Sequence, residues 1–175
     1  MNKYALKWEL VGIVFIVIIG GALHFAFDLS GEWLPLALIA AVNESVWEHL
    51  KLGFWPALIY FLTEYRYIRK SSSNFIFAKA IGILLIPVAI TILFYAYTAF
   101  VEDMLAVDLA IFVVSVVVGQ LTSYKILTVS PLPVWVNRLG MVLMIFLTIA
   151  FGTLTYYAPR LPIFRDPISG GYGIQ

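Results

Sequence analysis

Apolar residues run almost unbroken through five stretches, at 8–27, within 34–62, and at 75–97, 104–127 and 135–157. Each reaches the roughly 20 residues that a helix needs to cross about 30 Å of hydrocarbon. The runs do not alternate between apolar and polar positions, and they are too long for barrel strands of about ten residues. Polar punctuation separates them: Ser71-Ser72-Ser73-Asn74 reads as a turn, and Pro131-Leu132-Pro133 as a rigid connection. The pattern predicts an all-α integral membrane protein with five transmembrane helices. A single helical transmembrane domain fills 1–157, and an extracytoplasmic C-terminal tail follows at 158–175.

Composition agrees. Apolar residues make up 62% of the chain and charged residues 12%, and the mean hydropathy is +0.97. Soluble domains carry about 25% charged residues, so the lipid bilayer is the expected surrounding. A net charge of +1 excludes a basic nucleic-acid footprint, and zero cysteines exclude disulfides, thiolate metal sites and cysteine nucleophiles. Lys3, Lys7, Arg66, Arg69, Lys70, Lys79, Lys125 and Arg138 fall on one side of the five-span division, against Arg160 and Arg165 on the other. The cation-rich side is cytoplasmic; the N-terminus is therefore expected inside and the C-terminus outside, in a prokaryotic cytoplasmic (inner) membrane. The first run exceeds the 7–15 residues of a signal-peptide core, so it is expected to remain as a span. The tryptophans and tyrosines near the span ends, among them Trp8, Trp33, Trp135, Tyr65 and Tyr157, suit interfacial belts.

The second run is longer than one crossing, and two solutions fit it. One is a single tilted helix over 34–65. In the other, 33–42 is a short interfacial or re-entrant segment, Asn43 caps a new helix, and 44–65 makes the crossing. The second suits the remaining length and places a carboxylate in the first helical turn, where the dipole favours it.

Within this run, Asn43-Glu44-Ser45-Val46-Trp47-Glu48-His49-Leu50-Lys51 sets two carboxylates, an imidazole and an ammonium in apolar surroundings. A charge at the bilayer centre costs about 2.5–3.5 kcal/mol on insertion scales, so such groups face the protein interior and pair. His24 and Asp28 share a face at i and i+4 near the end of the first span, and Glu44 and Glu48 have the same spacing on the second. Consecutive spans pack as antiparallel neighbours, which brings the two pairs together. Imidazole with carboxylate suits zinc, manganese or iron. The candidate metal ligands are His24, Asp28, Glu44 and Glu48, with His49, Lys51, Asn43 and Asp108 as supporting or counter-charged groups. The spacing matches neither His-Glu-x-x-His nor Glu-x-x-His.

Blander and rival uses of the same residues stand beside the metal. Glu48 and Lys51, at i and i+3, can neutralise each other for insertion, and His24 can hydrogen-bond Glu44 as glue between helices. Chains of Asp, Glu and His also relay protons through membranes. Pro87, central in the third span, is expected to kink that helix, and Gln120, Thr122 and Ser123 to serve helix contacts. In the tail, three prolines, three glycines and the apolar Leu161, Ile163, Phe164 and Tyr172 predict a segment folded over the outer mouth. Arg160 and Arg165 would there form a candidate lid that answers the negative charge of Asp28, Glu44 and Glu48.

The stretch His24-Phe25-Ala26-Phe27-Asp28, the run from Asn43 to Pro56 and the tail from Pro162 to Gly173 resemble a family of small multi-pass prokaryotic membrane proteins known only as a domain of unknown function. The resemblance covers nearly the whole chain and implies a topology but no activity. Membrane hydrolases related to alkaline ceramidases hold zinc with histidines across seven spans; this chain has only two histidines and no His-x-x-x-His.

Three function classes therefore remain open. In the first, a bound divalent metal acts on a lipid or small molecule. In the second, Glu44 and Glu48 serve a proton- or ion-coupled transporter with Lys51 as counter-charge. In the third, the charges are structural in an accessory subunit, which would pair with a partner membrane protein or another copy of itself. Whether the chain is an enzyme does not follow from its sequence.

Overall fold

The computed structural model describes residues 3–174 and contains five α-helices there: α1 Lys3–Leu29, α2 Val46–Ile68, α3 Phe75–Thr98, α4 Leu105–Thr128 and α5 Val134–Thr153. Short 3-10 turns occupy Leu34–Leu38, Arg69–Ser71 and Pro162–Phe164. Among the described residues the only β pairing is an isolated antiparallel bridge between Arg165 and Tyr172. α1, α3, α4 and α5 are long and apolar enough to cross a membrane. α2 falls outside that class and carries Glu48, Lys51, Glu64 and Arg66.

Packing explains how α2 tolerates those charges. α1 contacts α2 and α4, and α3 contacts α2 and α4, so the first four helices close into a ring; α5 leans on α3. α2 is the least apolar helix in sequence and yet buries Glu48, Lys51 and Glu64 along with Leu50, Phe54, Trp55, Ala57 and Phe61. The outward faces of the other four helices carry Val14, Ile18, Ile92, Val114, Val142 and Phe146, all exposed. Such large bare apolar faces suit lipid rather than water. Where α3 crosses α4, Gly82 and Gly119 are the contact. A Cβ on either would lie 2.8 or 2.6 Å from the other's carbonyl oxygen, so the two backbones approach as small residues permit.

The connection before α2 follows the two-part solution, with one correction. The chain makes a single 3-10 turn at Leu34–Leu38 and does not become helical again until Val46. Ser45, not Asn43, is the cap: its hydroxyl accepts from the Glu48 N–H at 3.4 Å. Asn43 is occupied elsewhere, accepting from the Ser45 N–H and donating to the Gly173 carbonyl. Glu44 therefore lies ahead of the helix rather than in its first turn.

The polar turn before α3 does more than reverse the chain. Asn74 is buried, donates to the carbonyls of Ile126, Val129 and Ser130, and accepts from the Leu132 N–H. It ties the start of α3 to the link between α4 and α5. At the opposite end, Phe54, Phe151, Trp47 and Phe164 stack in series with centroids 4.4–4.6 Å apart, joining α2, α5 and the tail.

Candidate metal centre and buried charge clusters

His24 sits in the last two turns of α1 and His49 in the first turn of α2, and their rings meet edge to face at 5.1 Å. Glu44, held outside the helix by the Ser45 cap, swings back so that its Oε2 lies 3.4 Å from His49 Nε2. One ligand atom from each of His24, Glu44 and His49 falls within 4.8 Å of the others. Ligands at about 2.1 Å from a tetrahedral metal sit about 3.4 Å apart. Closing the site therefore needs about 1 Å of adjustment, well within the reach of the exposed Glu44 side chain.

The ring orientation is favourable for a metal. His49 Nδ1 lies 2.9 Å from the Ser45 carbonyl. Both ring nitrogens face acceptors, the Ser45 carbonyl and the Glu44 carboxylate, as in a protonated imidazole. Loss of the Nε2 proton would free a lone pair toward Glu44 and His24 for a metal, with the carbonyl orienting the ring. The His49 hydrogen bond holds the Glu44 carboxyl below the usual carboxylate range, against an opposing push from partial burial. Further negative charge surrounds the group. Burial pushes the Asp166 carboxyl up, but bonds from Ser169 and Ile168 outweigh it and leave the carboxyl below its ordinary value. Asp108 begins α4, and the Tyr97 hydroxyl lies 2.6 Å from Asp108 and 2.7 Å from Asp103. The hydrogen bonds from Asp108 and Tyr97 hold the Asp103 carboxyl low.

Not all of the expected ligands converge here. Asp28 is exposed and stands outside the three-residue group. Glu48 turns inward instead and forms an ion pair with Lys51 at 2.6 Å, with both side chains buried. Lys51 Nζ also donates to the Ala37 carbonyl at 2.7 Å and to Thr155 Oγ1 at 2.8 Å. Glu48 in turn accepts from the Val42 N–H and the Thr155 hydroxyl. Three ammonium donors meet three acceptors, and the network fastens the 37–42 loop, α2 and Thr155, two residues past α5, to one another. The tail does fold over this end of the bundle, through Phe164 on Trp47 and Gly173 on Asn43. The charge it buries there is Asp166; Arg160 and Arg165 are exposed and belong to none of the ion pairs found among the described residues.

A second buried cluster lies at the other end of α2, and its two carboxylates, Glu9 and Glu64, do not stand out in the sequence. Lys79 Nζ sits 2.5 Å from Glu9 Oε1 and 2.6 Å from Glu64 Oε1. Ser123 donates to Glu9 Oε1 at 2.9 Å, and Gln120 to the Glu9 carbonyl at 3.4 Å. Lys79 had counted as a cytoplasmic flanking charge; it is an interior one. The available signal was depth. Glu9, Glu64 and Lys79 each fall one to two turns from the same end of adjacent spans.

The family model for a family of unknown function, DUF6512, matches residues 1–174, and the chain belongs to that family. No curated protein and no solved structure matches it.

Proposed function

We propose that this chain, as a member of that family, is a five-span membrane protein that binds a divalent cation at its outer face through His24, Glu44 and His49. The convergence of those three ligand atoms within 4.8 Å carries the reading. Two imidazoles and one carboxylate are the donor set of open zinc and non-haem iron sites, which leave coordination positions for an exogenous oxygen. That oxygen would come from water, a lipid headgroup or a small molecule reaching the half-exposed cluster. α2 completes the span count because its buried charges turn inward, leaving Ile59 and Leu62 on its exposed face. Placing the N-terminus inside rests on the lysine and arginine distribution, which stays lopsided after Lys79 is removed from it.

Purified protein loaded with zinc and then dialysed is expected to retain about one metal per chain by elemental analysis. His24→Ala, His49→Ala and Glu44→Gln should each weaken binding by tenfold or more, while Asp28→Asn leaves it unchanged. Affinity should fall on acidification, because the imidazoles must be neutral to ligate. Retention of metal by a variant lacking all three ligands would overturn the reading.

A further inference from the structure

The Glu9–Lys79–Glu64 cluster differs from the buried Glu48–Lys51 pair in its balance. Two carboxylates surround one ammonium, and all three residues are buried at 0–2% exposure. With both carboxylates ionised the site would hold an uncompensated negative charge in an apolar interior. Buried charges of that kind neutralise rather than persist. A second, independent feature points to how. Glu9 Oε1 takes both the Lys79 and Ser123 bonds, while Oε2, buried on the same carboxyl, has no hydrogen-bond partner. An ionised oxygen left bare is costly; a protonated one is far less so.

We propose that Glu9 and Glu64 together bind one proton beside Lys79, forming a protonatable site at the end of the bundle opposite the His24 cluster. A metal ion is the poorer occupant, since the Lys79 ammonium already fills the cation position between the two carboxylates. The remaining groups that face Glu9 carry no charge: Ser123 and Gln120 on α4, and Tyr60 on α2, whose hydroxyl donates to the Trp8 carbonyl. The proton exchanges with one side only. Glu9 is about 9 Å along α1 from Lys3, and Glu64 and Lys79 are each about 6 Å from the helix ends at Ile68 and Phe75, at 1.5 Å per residue. Toward the middle of the bundle, a Cβ on Gly12 would collide with the Gln120 amide and the Tyr60 ring, and Ile16, Phe54, Ile86 and Val116 beyond are fully buried. The buried polar atoms at that depth, the Ser115 hydroxyl and the Trp55 indole N–H, have no hydrogen-bond partner, so no chain of bonds among the described residues crosses the plug.

Infrared spectroscopy of the full chain in lipid nanodiscs tests this through the carbonyl stretch of a protonated carboxylic acid, identified by its shift in heavy water. At neutral pH the wild type should show this band. Either Glu9→Gln or Glu64→Gln should abolish it, because one carboxylate then faces one ammonium and no proton is needed. Lys79→Met should strengthen it. The absence of a protonated carboxyl at neutral pH in the wild type, or a band that survives in both single glutamine variants, would overturn the proposal. Should Lys79→Met fail to fold, the two glutamine variants decide the matter alone.

Discussion

Lys51 and Lys79 are both fully buried ammonium groups in the same bundle, but they are not solvated in the same way. Lys51 has one carboxylate, one carbonyl and one hydroxyl, so its three donors are matched and its site is neutral. Lys79 has two carboxylates, one of which keeps an unpartnered oxygen. A closed, neutral network of this kind fixes a shape, whereas an unbalanced one has a proton to gain or lose. The Lys51 site therefore reads as a clasp for the loop before α2 and the segment after α5. The Lys79 site is where the bundle can respond to its surroundings.

Removing one carboxylate from each site should separate them most sharply. Glu48→Gln leaves Lys51 without an anion and is expected to cost about 3–5 kcal/mol, as breaking a buried pair does. Glu64→Gln leaves Lys79 paired with Glu9 and should stay within about 1 kcal/mol of the parent, the usual net worth of one hydrogen bond. Thermal unfolding in detergent micelles, followed by tryptophan fluorescence, measures both; equal losses would erase the distinction. A smaller effect is expected from the hydroxyls. Thr155→Val strands a Lys51 donor and a Glu48 oxygen at a cost of about 1–3 kcal/mol, whereas Ser123→Ala removes one bond of several and should cost about 1 kcal/mol.

The smallest effect belongs to the exposed rim, which supplies a reference for the two interior sites. Glu44 titrates below an ordinary carboxylate in the folded protein. Its contribution to stability is therefore present above the unfolded carboxylate range and lost as pH falls through the lowered folded value. With the Glu44 side chain 43% exposed, solvent screening keeps this contribution slight. Glu44→Gln should flatten the acid limb of a stability-against-pH curve without moving its neutral plateau. A change at neutral pH would mean that Glu44 has a structural role as well.

The helices were legible because apolar run length is a local property: 8–27, 75–97, 104–127 and 135–157 overlap α1, α3, α4 and α5 closely. The pairing of Glu48 with Lys51 was legible too, since i and i+3 positions meet on any helix. What could not be read was direction. Glu44 and Glu48 share a face only if both are helical, and the cap at Ser45 sends one to the surface and the other to the core. The expected ligand pair was split by a shift of two residues in the helix start. His49, placed in a supporting role, became a central member of the cluster for the same reason. Glu9 and Lys79 lie seventy positions apart, and nothing local to either indicates the other.

The sequence by itself determined that the chain is built from long apolar helices, and that its few interior charges had to find partners. Hydrocarbon length and the cost of bare charge depend on residue type and run length alone. Tertiary structure decided which charge met which. That choice depends on helix rotation, on the exact cap and on the crossing of α1, α2 and α3, which set whether a side chain two turns deep meets lipid, a neutralising carboxylate or a second one.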